Sequence, residues 1–435
     1  MDIKLLHSLF LKSTGVSTDT RSLKKGQLFF ALKGDNFNGN IYAISALEGG
    51  ASYAVVDEDV DSTNAIKVEN VLKTLQNLAT YHRDYLGLPV LAITGSNGKT
   101  TTKELCNLAL NTKYNCFATH GNLNNHIGVP LSLLSLTKEH NFAIIEMGAN
   151  HVGEINSLCQ ITRPNYALIT NIGKAHLEGF GSLSGVKKGK GELFRYIEEH
   201  GNGVFLNVDD LAVKSLANGL TILNSYGLTS RPEITATKTN GANMQVAFDL
   251  LIEGADKKAV KTQLYGTYNL INVLAAITIG KYFECNLDSV IKAIGNYQPT
   301  NNRSEIRKIG STTFILDAYN ANPLSMQAAL TDFESVKGRK FAILGDMLEL
   351  GSSKDEEHLQ IVNRLSVMEN CKAYFVGEIF ESLKQNVKSF RVYPNVEELL
   401  KTISWSEFEN STVLIKGSRK IKLEKVVEFY SKESL

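Results

Sequence analysis

The run Leu91-Ala-Ile-Thr-Gly-Ser-Asn-Gly-Lys-Thr100 carries an apolar strand into a glycine-bearing loop and closes on a Lys-Thr pair that opens a helix. That order suits a phosphate. Gly95 and Gly98 let the loop amides, including those of Ser96 and Asn97, converge on anionic oxygens. The helix N-terminus adds partial positive charge, Lys99 a point charge, and the Thr100 hydroxyl a ligand for magnesium. The general pattern wants glycine where Ile93 stands, so the loop is a compact variant, set against an ordinary strand-turn-helix.

Other residues of this kind also follow apolar runs. Glu146 succeeds Phe142 to Ile145, and its position alone leaves open a magnesium ligand or a strand-end cap. His176, in Asn171-Ile-Gly-Lys-Ala-His176, is a ligand, an acid-base group or a structural histidine. Lys190, in Lys187-Lys188-Gly-Lys190-Gly-Glu192, reads by itself as part of a solvated basic patch. Further on, Asp317, Gly345-Asp346, Gly377 and Lys416-Gly-Ser-Arg419 each end an apolar run, gathering four loops on one sheet edge as a ligand site. His358 reads as a surface helix residue.

The elements that must position these groups follow from periodicity. Residues 1 to about 85 hold strand-like runs Gln27–Leu32 and Tyr53–Asp57, a Gly- and Asn-rich turn at 34–40 and helical patterns near 43–49 and 70–85. Gly87 and Pro89 then break the chain. Buried parallel strands are expected at 90–93, 142–145, 167–170 and 204–206, the mark of a doubly wound α/β domain. An antiparallel hairpin is expected around Asn240-Gly241, with a helix from about 270 to 283. Past a polar hinge at 296–302, runs at 313–316, 341–344, 373–376 and 412–415 predict a Rossmann-like domain. The fold class is therefore α/β with three domains, at 1–86, 87–298 and 299–435.

At 435 residues the chain exceeds a single module, about 150 residues each being the usual unit. Its 46 Lys and Arg against 45 Asp and Glu leave a net charge of +1, which excludes the basic excess of a nucleic-acid binder. The five cysteines show no paired or zinc spacing and suit a reducing compartment. The first sixteen residues are too short and polar for a signal or a membrane span, and no later run has membrane length. A cytoplasmic enzyme is expected.

These motifs resemble the Mur ligase family, the ATP-dependent amide ligases that build the cytoplasmic peptidoglycan precursor. The resemblance runs through Thr94–Thr101, GluMetGlyAla at 146–149, the segment 171–182, AspAlaTyrAsnAlaAsnPro at 317–323, LeuGlyAspMetLeuGluLeuGly at 344–351 and LysGlySerArg at 416–419. It implies an enzyme that adds D-alanyl-D-alanine to UDP-N-acetylmuramoyl-tripeptide through an acyl phosphate, acting as a monomer. It also implies ATP held by Gly95 to Thr101, with Asn269 and Asn272 near the adenine and Arg303 and Asp317 near phosphates and ribose. One of two magnesium ions falls to Thr100 and Glu146, the second to His176, and Lys190 aligns with the family's carbamylated lysine. Asp19, Thr20, Arg21, Lys33 and Asn36 are implied at the UDP end, and Asn124 and Asn125 at the muramoyl-peptide side. Asn320, Asn322 and Lys416 complete the implied substrate contacts. Tyr268 stands where the family usually has His, and Arg303 follows Asn301-Asn302 rather than glycine.

Three rivals remain at this point. A sister ligase adding a diamino acid characteristically has an AspAsnProArg-like motif, which is missing. Folylpolyglutamate synthetase shares the ATP loop, but its other features are missing. A decayed nucleotide-binding protein is opposed by intact Lys99, Thr100, Glu146, His176 and Lys190.

Overall fold

Apolar runs of four to seven residues, spaced by helices, pair in parallel because a crossover helix returns each strand to the same edge. The computed structural model describes residues 1–229, 232–239, 244–300, 302–386 and 390–433, and among these the runs assemble into three main sheets. The first orders Val16–Ser17, Leu28–Phe30, Tyr53–Val56 and Ala65–Lys67, all parallel. The second has nine strands. Its parallel part runs Ile222–Tyr226, Gly203–Asn207, Tyr166–Ile169, Val90–Thr94, Phe142–Glu146, Cys116–Ala118. Ile234–Lys238, Gln245–Ile252 and Lys258–Tyr265 extend it, the last two antiparallel to their neighbours. The expected turn at Asn240-Gly241 lies outside the described residues. The third sheet orders Glu305–Ile309, Thr312–Asp317, Ser411–Lys416, Arg339–Gly345, Cys371–Val376 and Arg391–Tyr393.

Strand register sets the site. Ile93 pairs with Glu146 and Ile169 with Thr94, so the loops after these three strands emerge side by side. In the third sheet Asp317 pairs with Lys416 and Gly345 with Val376, which does the same for its loops.

The cores are divided unevenly. The helix Val71–Leu86, capped by Asn70 and stopped by Gly87 at φ 63°, buries Leu75, Leu78 and Ala79 in one cluster with Leu6, Phe30, Val129 and Ile145. The first sheet and the second thus share apolar packing. The C-terminal sheet has a cluster on each face, one around Phe333, Leu344 and Ile361, the other around Phe341, Phe408 and Val427. The only tryptophan of the sequence, Trp405, stacks on Phe429 beside the latter. All five cysteines are free thiols, four of them buried.

His358 is corrected from a surface residue to a fully buried one. In the helix Lys354–Ser366 it falls in step with Ile361, Val362 and Leu365 on the core face. Its Nδ1–H donates to Lys354 O, and Nε2 accepts the Met347 N–H at 3.0 Å. No helix among the described residues is long and apolar enough to cross a membrane.

Candidate active site

The phosphate loop folds as its glycines dictate. Gly95 has φ 146°, and a Cβ there would lie 1.9 Å from Thr170 Oγ1; Gly98 has φ 78°, with Asn272 Oδ1 2.7 Å from where its Cβ would stand. Gly98 then starts the helix Lys99–Leu110. Asn171 braces the loop, accepting the Asn97 N–H at 3.0 Å and donating to Asn97 O at 3.0 Å, while Thr170 Oγ1 donates to the same carbonyl at 2.6 Å. Lys99 Nζ curls back to Gly95 O at 2.7 Å. Burial pushes its ammonium below the usual lysine range, Glu146 opposing and Arg303 adding to the shift.

This loop opens on a cavity of about 1020 Å³ between the second and third sheets. From the central side Ser96 to Thr101, Asn124, Asn125, Glu146, His176, Asn269 and Asn272 line it; from the C-terminal side come Arg303, Asp317, Asn320, Asn322 and Lys416. The helix Pro323–Glu334 adds a second N-terminus, with Asn322 and Ser325 in a reciprocal capping box and Pro323 at its first position. Asn322 Nδ2 donates to Asn97 Oδ1 at 2.7 Å, joining the two helix starts. Gly95 and Lys190 lie outside the lining, although Gly95 shapes the loop. Asp19, Thr20, Arg21, Lys33 and Asn36 also stay apart: Arg21 holds Asp19 in an exposed pair, and Lys33 bridges Asp57 and Glu58, each at 2.8 Å.

Glu146 is buried, not a solvated cap. Asn124 Nδ2 donates to its Oε1 at 2.8 Å, Lys103 Nζ lies 3.6 Å from Oε2, and Oε2 has no hydrogen-bond partner. A buried carboxylate oxygen without a hydrogen-bond partner, lining the same cavity as Thr100 and the phosphate loop, fits a magnesium ion. Among the described residues no group of three His, Cys, Asp or Glu is arranged to enclose a metal by itself. Asn125 is occupied in part elsewhere, its Oδ1 accepting the Ile127 and Gly128 amides.

Lys190 is corrected from a solvated patch to a fully buried amine with no partner at Nζ, 5.5 Å over the Phe180 ring. Burial, then Lys99, hold it well below the usual lysine range, which favours the neutral amine. His176 lines the same cavity and also meets the C-terminal domain. Its Nδ1 lies 2.5 Å from Glu349 Oε2 of the C-terminal domain, off the line of a hydrogen bond, and that contact lowers the Glu349 carboxyl.

Several participants were not singled out from the sequence. Tyr319 lies against Arg303, whose guanidinium carbon is 3.4 Å from the ring centre, and accepts a hydrogen bond from Arg419 at 3.0 Å. Ser304 joins the domains: its Oγ accepts from Asn269 Nδ2 at 2.8 Å, and its N–H donates to Asp317 Oδ1 at 3.2 Å. Asn269 Oδ1 in turn accepts from Asn272, and Asn272 from Thr102 of the phosphate-loop helix. Glu349 sits in the 344–351 motif and Lys103 just beyond the phosphate loop, but only their cross-chain contacts reveal them.

Residues 12–90, 93–280 and 302–419 match the models of the Mur ligase family catalytic domain, the Mur ligase middle domain and the Mur ligase glutamate ligase domain. A Bacillus subtilis relative called UDP-N-acetylmuramoyl-tripeptide--D-alanyl-D-alanine ligase is 33% identical, over 95% of this chain and 92% of that protein. A crystal structure of MurF from Acinetobacter baumannii superposes with TM-score 0.87 at 29% identity, covering 98% of each chain. MurF ligase from Thermotoga maritima, solved in complex with ADP, gives 0.83 at 25% identity, again over 98% of each chain.

Proposed function

The chain belongs to the Mur ligase family, and we propose that it joins D-alanyl-D-alanine to the terminal carboxylate of UDP-N-acetylmuramoyl-tripeptide at the expense of ATP. The observation that carries this reading is the cavity between two sheet edges, with a phosphate loop and Glu146 on one wall and Arg303, Asp317 and Lys416 on the other. A carboxylate is a poor electrophile and must be activated. Its oxygen attacks the γ-phosphorus, ADP leaves, and the amine of the dipeptide then attacks the acyl phosphate carbon and expels phosphate. Two anions must meet, so fixed positive charge decides the rate. Lys99 and the helix N-terminus neutralise the phosphates, and the buried Asn272–Asn269–Ser304 relay holds the two walls in register.

Thr100 and Glu146 are assigned to one magnesium ion and His176 to the second. When bound, these ions neutralise the triphosphate and orient the in-line transfer. Lys190, a buried amine without a hydrogen-bond partner at Nζ, is suited to take up CO2 and become an anionic carbamate. Asn269 and Asn272 are assigned to the adenine end, and Asp317 and Arg303 to ribose and phosphates. Asn124, Asn125, Asn320, Asn322 and Lys416 are assigned to the peptide substrates. The exposed set Asp19, Thr20, Arg21, Lys33 and Asn36 is assigned to the UDP end, on the separate N-terminal unit 1–86, with 87–298 and 299–435 as nucleotide and ligase units. A monomer working in the cytoplasm, where the UDP-linked precursor is made, completes the proposal.

Phosphate release from ATP tests it. Release should require UDP-N-acetylmuramoyl-tripeptide and D-alanyl-D-alanine together; release with the UDP-dipeptide and a diamino acid instead would move the assignment to the sister ligase.

A further inference from the structure

We infer that Glu349 is a positioning residue for His176: its carboxylate holds the Nδ1 side of the imidazole across the domain cleft and leaves Nε2 as the nitrogen offered to a divalent cation. The cation ligand is thereby set only while the C-terminal domain is docked. This rests on the reading of His176 as a cation ligand.

Three independent features meet at this contact. First, both partners have left-handed backbone, His176 at φ 52° and Glu349 at φ 65°, a region L-residues seldom occupy and which the surrounding structure must enforce. Second, each side chain is free for the other. His176 precedes the helix Leu177–Phe180 but makes no side-chain cap to it. His176 lines the cavity and Glu349 does not, while Glu349 Oε2 reaches His176 Nδ1.

Third, the main chain on both sides is fixed. Glu178 N–H donates to Glu349 O at 3.1 Å, docking the C-terminal loop on the turn that follows His176. Just before Glu349, the Met347 N–H donates to buried His358 and the Leu348 N–H to Ser418 Oγ at 2.9 Å. A neighbouring ion pair, Lys174 to Glu357 at 2.6 Å, ties the loop before His176 to the helix Lys354–Ser366 without using the imidazole. A histidine that binds a metal through one nitrogen commonly has a carboxylate at the other, which fixes tautomer and ring orientation and raises basicity. Here the carboxylate comes from a different domain.

The test uses the full chain, Mn2+ as the probe and a non-hydrolysable ATP analogue, with Mn2+ affinity read by electron paramagnetic resonance. His176→Ala should weaken one Mn2+ site. Glu349→Gln should weaken the same site by about tenfold, Glu349→Asp should recover part of it, and the double variant should be no weaker than His176→Ala alone. Lys174→Met, which loosens docking only, should change affinity much less than Glu349→Gln. An unchanged site in Glu349→Gln, additive losses in the double variant, or an equal loss in Lys174→Met overturns the inference while leaving His176 as a ligand. No loss in His176→Ala removes the cation reading itself, and the inference with it. Glu349 is half-exposed, so its variants retain the fold, which circular dichroism verifies.

Discussion

Lys99 and Lys190 are both buried amines, one held by backbone carbonyls and the other without a hydrogen-bond partner. Lys99 sits among backbone carbonyls with its charge unfavourably desolvated, so an incoming phosphate restores what burial removes. Lys99→Ala should therefore lower kcat by about 10²–10³-fold with an unchanged circular dichroism spectrum. Lys190 has no hydrogen-bond partner at Nζ, and burial holds it well below the usual lysine range. With ¹³C-labelled bicarbonate, wild-type protein should give a carbamate carbon resonance that Lys190→Ala lacks; its absence from the wild type removes the carbamate from the proposal. At this scale the sequence was readable where an apolar run delivers a residue to a strand end, as with Lys99, Glu146 and Asp317. It misled at Lys190, whose neighbours Lys187 and Lys188 suggest solvent although only its own side chain turns inward. Glu349 lies 173 positions from its partner His176, a contact no local spacing encodes.

Among the elements, the N-terminal helix Ile3–Lys12 is held by a titratable contact. His82 Nε2–H must donate to Leu136 O at 3.0 Å, so its bare Nδ1 accepts from His7 Nε2–H, also at 3.0 Å. Phe10, Tyr81 and Tyr85 surround the pair. Burial lowers both imidazoles below 6.5, and His82 lowers His7 further. The unfolded chain then binds these protons first, so their stability is fully present above pH 6.5 and is lost as pH falls through the lowered values. His7→Phe with His82→Phe should flatten the decline of Tm between about pH 8 and about pH 5; an unchanged slope would place the acid sensitivity elsewhere. Long elements were the legible ones. Val16–Ser17, Ala65–Lys67 and Cys116–Ala118 were not, because two or three residues cannot display a period. His358 was legible in principle, its spacing to Ile361, Val362 and Leu365 being that of a core stripe.

For the whole molecule, the division of the cores decides what moves. The first two units share apolar packing, whereas many of the contacts to the C-terminal domain are polar, such as Asn97–Asn322, Lys174–Glu357 and Thr267–Asp332. Leu75→Ala should destabilise the first two units together, by about 2–5 kcal/mol. Trp405 fluorescence, which reports the C-terminal domain alone, should show a transition left in place. Small-angle scattering should detect compaction when an ATP analogue and the UDP substrate bind together; an unchanged radius of gyration contradicts a site completed by closure. The five thiols carry a further consequence. Burial raises every one of them, Cys371 to about 11, which disfavours the reactive thiolate. The native thiols should therefore react slowly with maleimides, Cys371 fastest because it alone is only partly buried, which a thiol titration of the folded chain checks. One exposed cysteine placed on each side of the cleft would take up a dye pair selectively, without first removing the natural thiols, and would turn the enzyme into an optical ruler of its own domain motion.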